Sequence, residues 1–97
     1  MSFGLSHSDL NAICEVFNRY PQVSKVLIYG SRALGTQRQS SDIDLTLKGD
    51  ISHEEFNNIS IELDDLMLPY QFDLSVFDHI DNPDLLAHIQ QHSKELC

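Results

Sequence analysis

The sequence predicts a small α/β domain, with helices packed on one face of a mixed β-sheet. Three short runs of apolar and β-branched residues, at 23–30, 42–48 and 71–77, have the character of strands. Segments with apolar residues at helical spacing separate and flank these runs. The resulting order, α-β-α-β-α-β-α, is typical of an α/β sheet. A single domain, 1–97, is expected because 97 residues are close to the common domain size.

Capping and helix-breaking residues mark the ends of the first elements. Ser6 or Ser8 is a suitable N-cap for the first helix, which must end before Pro21. The strand that follows stops at Gly30, and a short helical turn is expected to begin at Ser31. The apolar side of the first helix consists of Leu10, Ile13, Val16 and Phe17.

The second half of the chain is marked in the same way. Ser52 and Glu55 have the spacing of a capping box, and Asn82-Pro83 predicts the start of the last helix. A polar loop is expected over residues 35–41. The apolar side of the third helix consists of Phe56, Ile59, Leu63 and Met67, and that of the last helix of Leu85, Leu86, Ile89 and Leu96.

The charge of the chain limits its partners. With 15 acidic and 6 basic residues, the formal net charge is −9 at pH 7. This charge argues against stable binding to nucleic acid, since nonspecific affinity depends on phosphate neutralisation by Lys and Arg. It remains compatible with one nucleotide held through a metal ion, and with a basic protein partner.

The cysteines and the hydropathy predict a cytoplasmic protein. Cys14 and Cys97 form neither a disulfide framework nor a metal-ligand pattern, and Cys14 is expected to be a buried free thiol. The sequence contains no apolar stretch long enough to span a membrane, and its first residues do not resemble a signal peptide.

Two aspartates in the second strand carry the strongest chemical signal. Asp42 and Asp44 point to the same face of a strand, while Ile43 between them points into the core. Asp73 on the third strand joins them if these two strands are neighbours. Carboxylates that close together repel each other, at about 4 kcal/mol for a pair about 4 Å apart at an effective dielectric of ~20. Divalent cations would relieve this repulsion.

The carboxylates and a Gly-Ser pair together predict a site for metal and nucleotide. Two Mg²⁺ ions about 3.5–4 Å apart would stabilise both the attacking and the leaving oxygen of a phosphoryl displacement. Gly30 allows close approach of the backbone to a ligand, and Ser31 begins a turn whose N–H groups favour phosphate. Each signal alone is weak, but their combination on successive strands is specific.

The spacing Gly30-Ser31, ten residues, Asp42-Ile43-Asp44 resembles the Gly-Ser-x10-Asp-x-Asp motif of the DNA-polymerase-β-like nucleotidyltransferase superfamily. The short length and the strings GSRALG and SDIDL resemble the minimal nucleotidyltransferases. These proteins are antitoxins in two-gene modules with HEPN-domain toxins, which are expected to be ribonucleases. The chain departs from larger superfamily members because it has no room for the helical domain that binds their acceptor.

The resemblance implies roles for individual residues. Asp42 and Asp44 would bind Mg²⁺, and Asp73 would ligate a metal ion or act as the base for the attacking hydroxyl. The implied nucleotide-binding residues are Gly30, Ser31 and Arg32. For Arg32 a phosphate contact and a surface ion pair with a carboxylate remain equal alternatives.

Three functions remain open at this point. The resemblance implies an enzyme that transfers a nucleoside monophosphate, AMP from ATP in the first instance, to a hydroxyl of a partner HEPN toxin. The second is an antitoxin that neutralises its partner by binding alone, and the third is a nucleotidyltransferase for a small molecule such as an aminoglycoside. A homo- or hetero-oligomer is compatible with each. His88 and His92, at i and i+4, are read as part of a polar helix face rather than a zinc site.

Overall fold

The computed structural model describes residues 3–36 and 42–97. Residues 37–41 of the predicted polar loop lie outside this range. The elements in chain order are α1 (His7–Asn18), β1 (Val23–Tyr29), α2 (Ser31–Leu34), β2 (Ile43–Gly49), α3 (His53–Asp64), β3 (Phe72–Val76), a 3-10 turn (Phe77–His79), α4 (Pro83–His92) and β4 (Lys94–Glu95). None of the described helices is long and apolar enough to cross a membrane.

The strands form one mixed sheet in the order β3-β2-β1-β4, which confirms the predicted α/β class. β1 is antiparallel to both β2 and β4, whereas β2 and β3 are parallel. The parallel pair requires a crossover, which α3 provides. As a result, the end of β1 and the starts of β2 and β3 lie at one edge of the sheet.

The predicted helix caps are present. The Ser6 side chain accepts a hydrogen bond from the Asp9 N–H at the start of α1. Ser52 and Glu55 form a capping box before α3, with both reciprocal hydrogen bonds in place. The Asn82 side chain accepts hydrogen bonds from the first turn of α4. These caps fix the starts of α1, α3 and α4, because each satisfies N–H groups that have no partner within the helix.

The main core lies between α1, α3 and one face of the sheet. Alternate residues of β1 and β2 point to this face, which gives the strands their alternating burial. The buried residues of this core are Leu5, Ile13, Val16, Phe17, Val26, Ile28, Ile43, Leu45, Leu47, Ile51, Ile59, Leu63 and Leu96. The arrangement agrees with the prediction for α1 and, through Ile59 and Leu63, for most of α3, and the two helices supply five of the thirteen buried residues. Met67 was expected on the apolar side of α3, but α3 ends at Asp64 and Met67 is 86% exposed, because the chain turns through a positive φ of 57° at this residue.

Helix α4 packs on the opposite face of the sheet. Leu27 and Tyr29, which alternate with the core residues of β1, are buried against Ile89 of α4. Partly buried residues of the 3-10 turn, of the segment after it and of α4 complete this second cluster: Phe77, Ile80 and Leu85. Helix α4 therefore covers the β1 side of the face to which Asp44 points.

Strand β4 corrects the predicted extent of the last helix. Leu96 was expected on the apolar side of that helix, but α4 ends at His92. Lys94 and Glu95 instead pair with β1, and the Leu96 N–H donates to the Val26 carbonyl at 2.9 Å. Leu96 is buried because it follows the edge strand β4 and packs from there into the main core. Helical spacing alone does not reveal this contact.

The cysteines also differ from the prediction. Cys14 is not a free thiol, since it forms a disulfide with Cys97 across 83 positions of sequence. The pairing follows from β4: once Leu96 packs beside α1 in the main core, Cys97 is carried to Cys14 on that helix. The Cα–Cα distance of 5.6 Å is normal for a disulfide.

Candidate active site

A row of polar side chains crosses three strands at one edge of the sheet. Tyr29 of β1 pairs in register with Asp44 of β2, and Asp44 pairs with Asp73 of β3. Residues paired in this way point to the same face of a sheet. The predicted approach of Asp44 and Asp73 therefore follows directly from the parallel β2–β3 register.

The environment of Asp44 opposes its negative charge. Burial, followed by the charges of Asp73 and then Asp42, raises the pKa of the Asp44 carboxyl above its usual range, against weaker opposing effects of His88 and Arg32. A raised carboxyl pKa in a group that stays partly accessible is common at functional sites. The same two aspartates that the sequence placed beside Asp44 are thus close enough to act on it.

Asp42 lies one residue before β2 and is exposed. The segment it belongs to is held from two sides: the Ile43 N–H donates to the Gln71 carbonyl at 2.8 Å, and Arg32 Nε donates to the Asp42 carbonyl at 3.4 Å. Its side chain is not fixed by the sheet in the way that those of Asp44 and Asp73 are. The prediction that Asp42 and Asp44 share one strand is therefore too simple, although the two carboxylates still interact.

The donor set suits a hard divalent cation. Within residues 3–36 and 42–97, no three His, Cys, Asp or Glu side chains lie close enough together to form a complete metal site. Mg²⁺ does not require one, because proteins usually hold it through one or two carboxylates, with phosphate and water oxygens as the other ligands. Asp44, Asp73 and Asp42 supply only oxygen donors, and the repulsion on Asp44 is what a cation would remove.

Gly30 brings the backbone against this cluster. Its φ of +75° lies in the left-handed region, which glycine adopts without a steric penalty. A Cβ at this position would overlap Oδ2 of Asp44. Glycine is therefore required here twice over, for its backbone angle and for the space beside the carboxylate.

Ser31 begins α2 directly after this glycine, as predicted. The Thr36 N–H and the Leu34 N–H donate to the Ser31 and Gly30 carbonyls, at 2.9 and 3.2 Å, and close the short turn. This geometry places the start of α2 beside Asp44. A phosphate contact from Gly30 or Ser31 stays a prediction.

Arg32 is buried rather than exposed, with 2% of its surface accessible. Its Nη1 donates to the Phe3 carbonyl at 2.9 Å, and its guanidinium lies 4.9 Å from the centre of the Tyr70 ring. The alternative of a surface arginine is therefore wrong. Arg32 links α2 to the segment before β2 through Asp42, and its predicted phosphate contact remains untested.

His88 is a site residue that the sequence did not identify. Its Nε2 accepts a hydrogen bond from the Gly30 N–H at 3.1 Å, across 58 positions of sequence. Its ring also makes edge contact with Tyr29, at 6.2 Å between ring centres, and lies 5.3 Å from His92. Helical spacing showed only that His88 and His92 share a face, because the partner of His88 lies on another element.

Comparison with solved structures gives the same fold. A crystal structure of a toxin–antitoxin with AMP-PNP matches with a TM-score of 0.72 and 20% identity, covering 91% of this chain and 72% of that one. A MntA–HepT toxin–antitoxin structure gives 0.66 and 15%, over 95% and 72%. The Shewanella oneidensis complex of tri-AMPylated HEPN toxin with MNT antitoxin gives 0.67 and 14%, over 96% and 72%.

The family comparison covers most of the chain. No curated protein sequence matches it. A family model described as polymerase beta, nucleotidyltransferase matches residues 11–97, which include the Gly-Ser pair, the three aspartates and His88. The chain therefore belongs to the polymerase-β-like nucleotidyltransferase family, as its motif indicated.

Proposed function

We propose that this protein is a Mg²⁺-dependent nucleotidyltransferase that transfers AMP from ATP to a hydroxyl of a HEPN-domain toxin and thereby acts as its antitoxin. The observation that carries the proposal is the register pairing of Asp44 with Asp73, with Gly30 packed against the Asp44 carboxylate. The Gly-Ser turn after β1 would approach the phosphates, and the start of β2 would supply metal ligands at the same edge of the sheet.

The chemistry assigns each residue a role. The acceptor hydroxyl oxygen forms a bond to the α-phosphorus of ATP, the bond from that phosphorus to the bridging oxygen breaks, and pyrophosphate leaves. Asp44 and Asp42 would hold Mg²⁺, which supplies charge stabilisation at the phosphates when bound. Asp73 would hold the metal or accept the hydroxyl proton, Gly30 would let the backbone approach the phosphates closely, and Ser31 would bind phosphate oxygens.

The identity of the nucleotide and of the partner rests on the structural neighbours. One neighbour is a toxin–antitoxin crystallised with AMP-PNP, and another contains a tri-AMPylated HEPN toxin with an MNT antitoxin. These two neighbours are 20% and 14% identical to this chain, and their nucleotide and their HEPN partner support the proposal through the shared fold. The negative charge of the chain, −9, also suits a protein acceptor with a basic surface.

Neutralisation by binding alone is the second candidate. It is favoured by the exposed position of Asp42, whose side chain the sheet does not fix. In this case the chain would form a stable complex with the toxin without modifying it.

Intact mass of the HEPN-domain protein encoded beside this chain distinguishes the two. The toxin is incubated with this protein, Mg²⁺ and each NTP in turn, in parallel with Asp44→Asn and with Asp50→Asn as a matched control. Asp50 is exposed and follows the far end of β2. We expect a gain of one or more AMP groups with the wild type and the control, and none with Asp44→Asn.

A stable complex without any mass gain would reject the transfer reaction and support neutralisation by binding. An unchanged mass gain with Asp44→Asn would show that the predicted carboxylate is not needed. Mass gain with another NTP would correct the nucleotide while keeping the reaction class.

A further inference from the structure

We propose that His88 is a positioning residue for the nucleotide: through its hydrogen bond from Gly30, it holds the Gly-Ser turn in the conformation that accepts phosphate. This inference rests on the proposed function. It concerns a residue of α4, which contributes none of the residues of the Gly-Ser-x10-Asp-x-Asp motif.

The first argument is the backbone of Gly30. Its φ of +75° and ψ of −154° lie in a region that is open to glycine alone, and glycine itself moves freely between many conformations. Such a peptide keeps one orientation only when its surroundings hold it. The Gly30 N–H is held by Nε2 of His88 at 3.1 Å, and the Gly30 carbonyl by the first bond of α2.

The second argument is that His88 is itself fixed. It lies on α4, whose packing on the sheet is anchored by Ile89, the next residue, which is 1% exposed. Its ring makes edge contact with the Tyr29 ring of β1. The imidazole therefore reaches Gly30 from a rigid element, which is the arrangement that positions a turn most accurately.

The third argument is location. The Gly30 Cα packs against the Asp44 carboxylate, so any shift of this peptide changes the space between the turn and the metal ligands. By holding the Gly30 peptide, one side chain of α4 thus sets the position of the Gly-Ser turn relative to the carboxylate beside it.

The hydrogen bond also fixes the state of the imidazole. Because the Gly30 N–H donates, Nε2 must be unprotonated, and the ring proton must be on Nδ1. This requirement can be tested without nucleotide. In ¹⁵N-labelled protein, long-range ¹H–¹⁵N spectra should show the Nδ1–H tautomer for His88 and a through-hydrogen-bond coupling between the Gly30 nitrogen and Nε2.

Nucleotide binding tests the role. AMP-PNP with Mg²⁺ is titrated by calorimetry into wild type, His88→Leu, His88→Gln and His92→Leu. We expect His88→Leu to weaken binding about tenfold, in line with one lost hydrogen bond that orders a ligand-binding turn. His88→Gln should recover most of the affinity, because its Oε1 can accept the same N–H. His92→Leu, one turn further along α4, should bind as the wild type does.

The outcomes separate this inference from the proposed function. If the wild type does not bind AMP-PNP, the proposed function fails, and the role of His88 fails with it. If the wild type binds and His88→Leu binds equally well, only the inference is overturned. Tighter binding by His88→Leu would also overturn it, since His88 would then compete with phosphate for the Gly30 N–H. Failure of His88→Gln to recover affinity, with unchanged thermal stability, would likewise reject the hydrogen bond as the cause.

Discussion

Replacing Asp44 with asparagine should make the folded protein more stable while it abolishes transfer. Asp44 is partly buried, and burial together with the charges of Asp73 and Asp42 raises the pKa of its carboxyl. Each of these effects disfavours the charged folded state relative to the unfolded chain, where the carboxylate is solvated. Asparagine keeps the shape and removes the charge, so the destabilising contribution disappears.

The magnitude follows from the sheet geometry. Adjacent strands are about 4.8 Å apart, so the register-paired carboxylates of Asp44 and Asp73 are taken as about 5 Å apart. The repulsion between two unit charges at that distance is about 3 kcal/mol at an effective dielectric of 20, and about 0.8 kcal/mol at that of water. Because Asp73 is exposed, the smaller figure is the better guide. A gain of about 1 kcal/mol corresponds to about 4–8 °C in Tm for a domain of this size.

The pH dependence has a definite sign. The pKa of Asp44 is raised in the folded state from its ordinary value of 3.8, so the folded protein binds more protons than the unfolded chain between the two pKa values. Stability therefore falls as pH rises through that window, and the full penalty is present above it. The advantage of Asp44→Asn should be largest at neutral pH and should shrink as pH falls towards 4.

Thermal unfolding at a series of pH values measures this difference, with Asp50→Asn as the control for the loss of one negative charge. Millimolar Mg²⁺ should raise the Tm of the wild type more than that of Asp44→Asn, because the ion binds the folded state through this carboxylate. If Asp44→Asn gains no more stability than Asp50→Asn at neutral pH, then the carboxylates do not repel each other as the register indicates.

Two further predictions concern the Gly-Ser turn and the disulfide. Gly30→Ala should lose transfer activity in the toxin mass assay and about 1–3 kcal/mol of stability, because its Cβ would overlap Asp44 and its backbone conformation is strained for alanine. Gly35→Ala is the control: Gly35 has a similar φ of +76°, but no atom lies where its Cβ would be, so this variant should keep its activity. Equal activity in the two variants would contradict the role of the close approach. Reduction of the Cys14–Cys97 disulfide should lower the free energy of unfolding by about 2–4 kcal/mol in a denaturant titration, because the bond closes a loop across 83 positions. Cys97→Ser is the control that cannot form this bond. If the wild type and Cys97→Ser have the same free energy of unfolding under both reducing and oxidising conditions, the bond does not form in solution.

Local patterns in the sequence were sufficient for most of the elements and for the motif. Alternation placed Asp44 on the open face of β2, and capping residues placed the starts of α1, α3 and α4. The approach of Asp73 was predicted on the condition that β2 and β3 are neighbours, and the crossover through α3 meets this condition. In each case the deciding interaction is local, or is fixed by the connectivity of neighbouring elements.

The errors share a different cause. The pairing of β4 with β1 determines the positions of Leu96 and Cys97. A strand of two residues is too short to have a recognisable pattern in the sequence. For Arg32 the sequence left a surface ion pair and a phosphate contact as equal alternatives, and only the fold shows that it is buried beside Phe3, Tyr70 and the start of β2. These positions depend on contacts across long separations in sequence, for which residue spacing carries no information.

The site is held in an unfavourable state by parts of the molecule that lie outside it. Asp44 is charged beside other carboxylates, and Gly30 adopts a backbone conformation that only surrounding contacts maintain. Such features reduce stability and persist when function requires them. The main core, the helix caps and the Cys14–Cys97 bond offset them from the other face of the sheet. Helix α4 has the connecting role, because its packing on β1 is what carries His88 to Gly30. Variants that loosen α4 without touching the motif should therefore impair nucleotide binding before they unfold the protein.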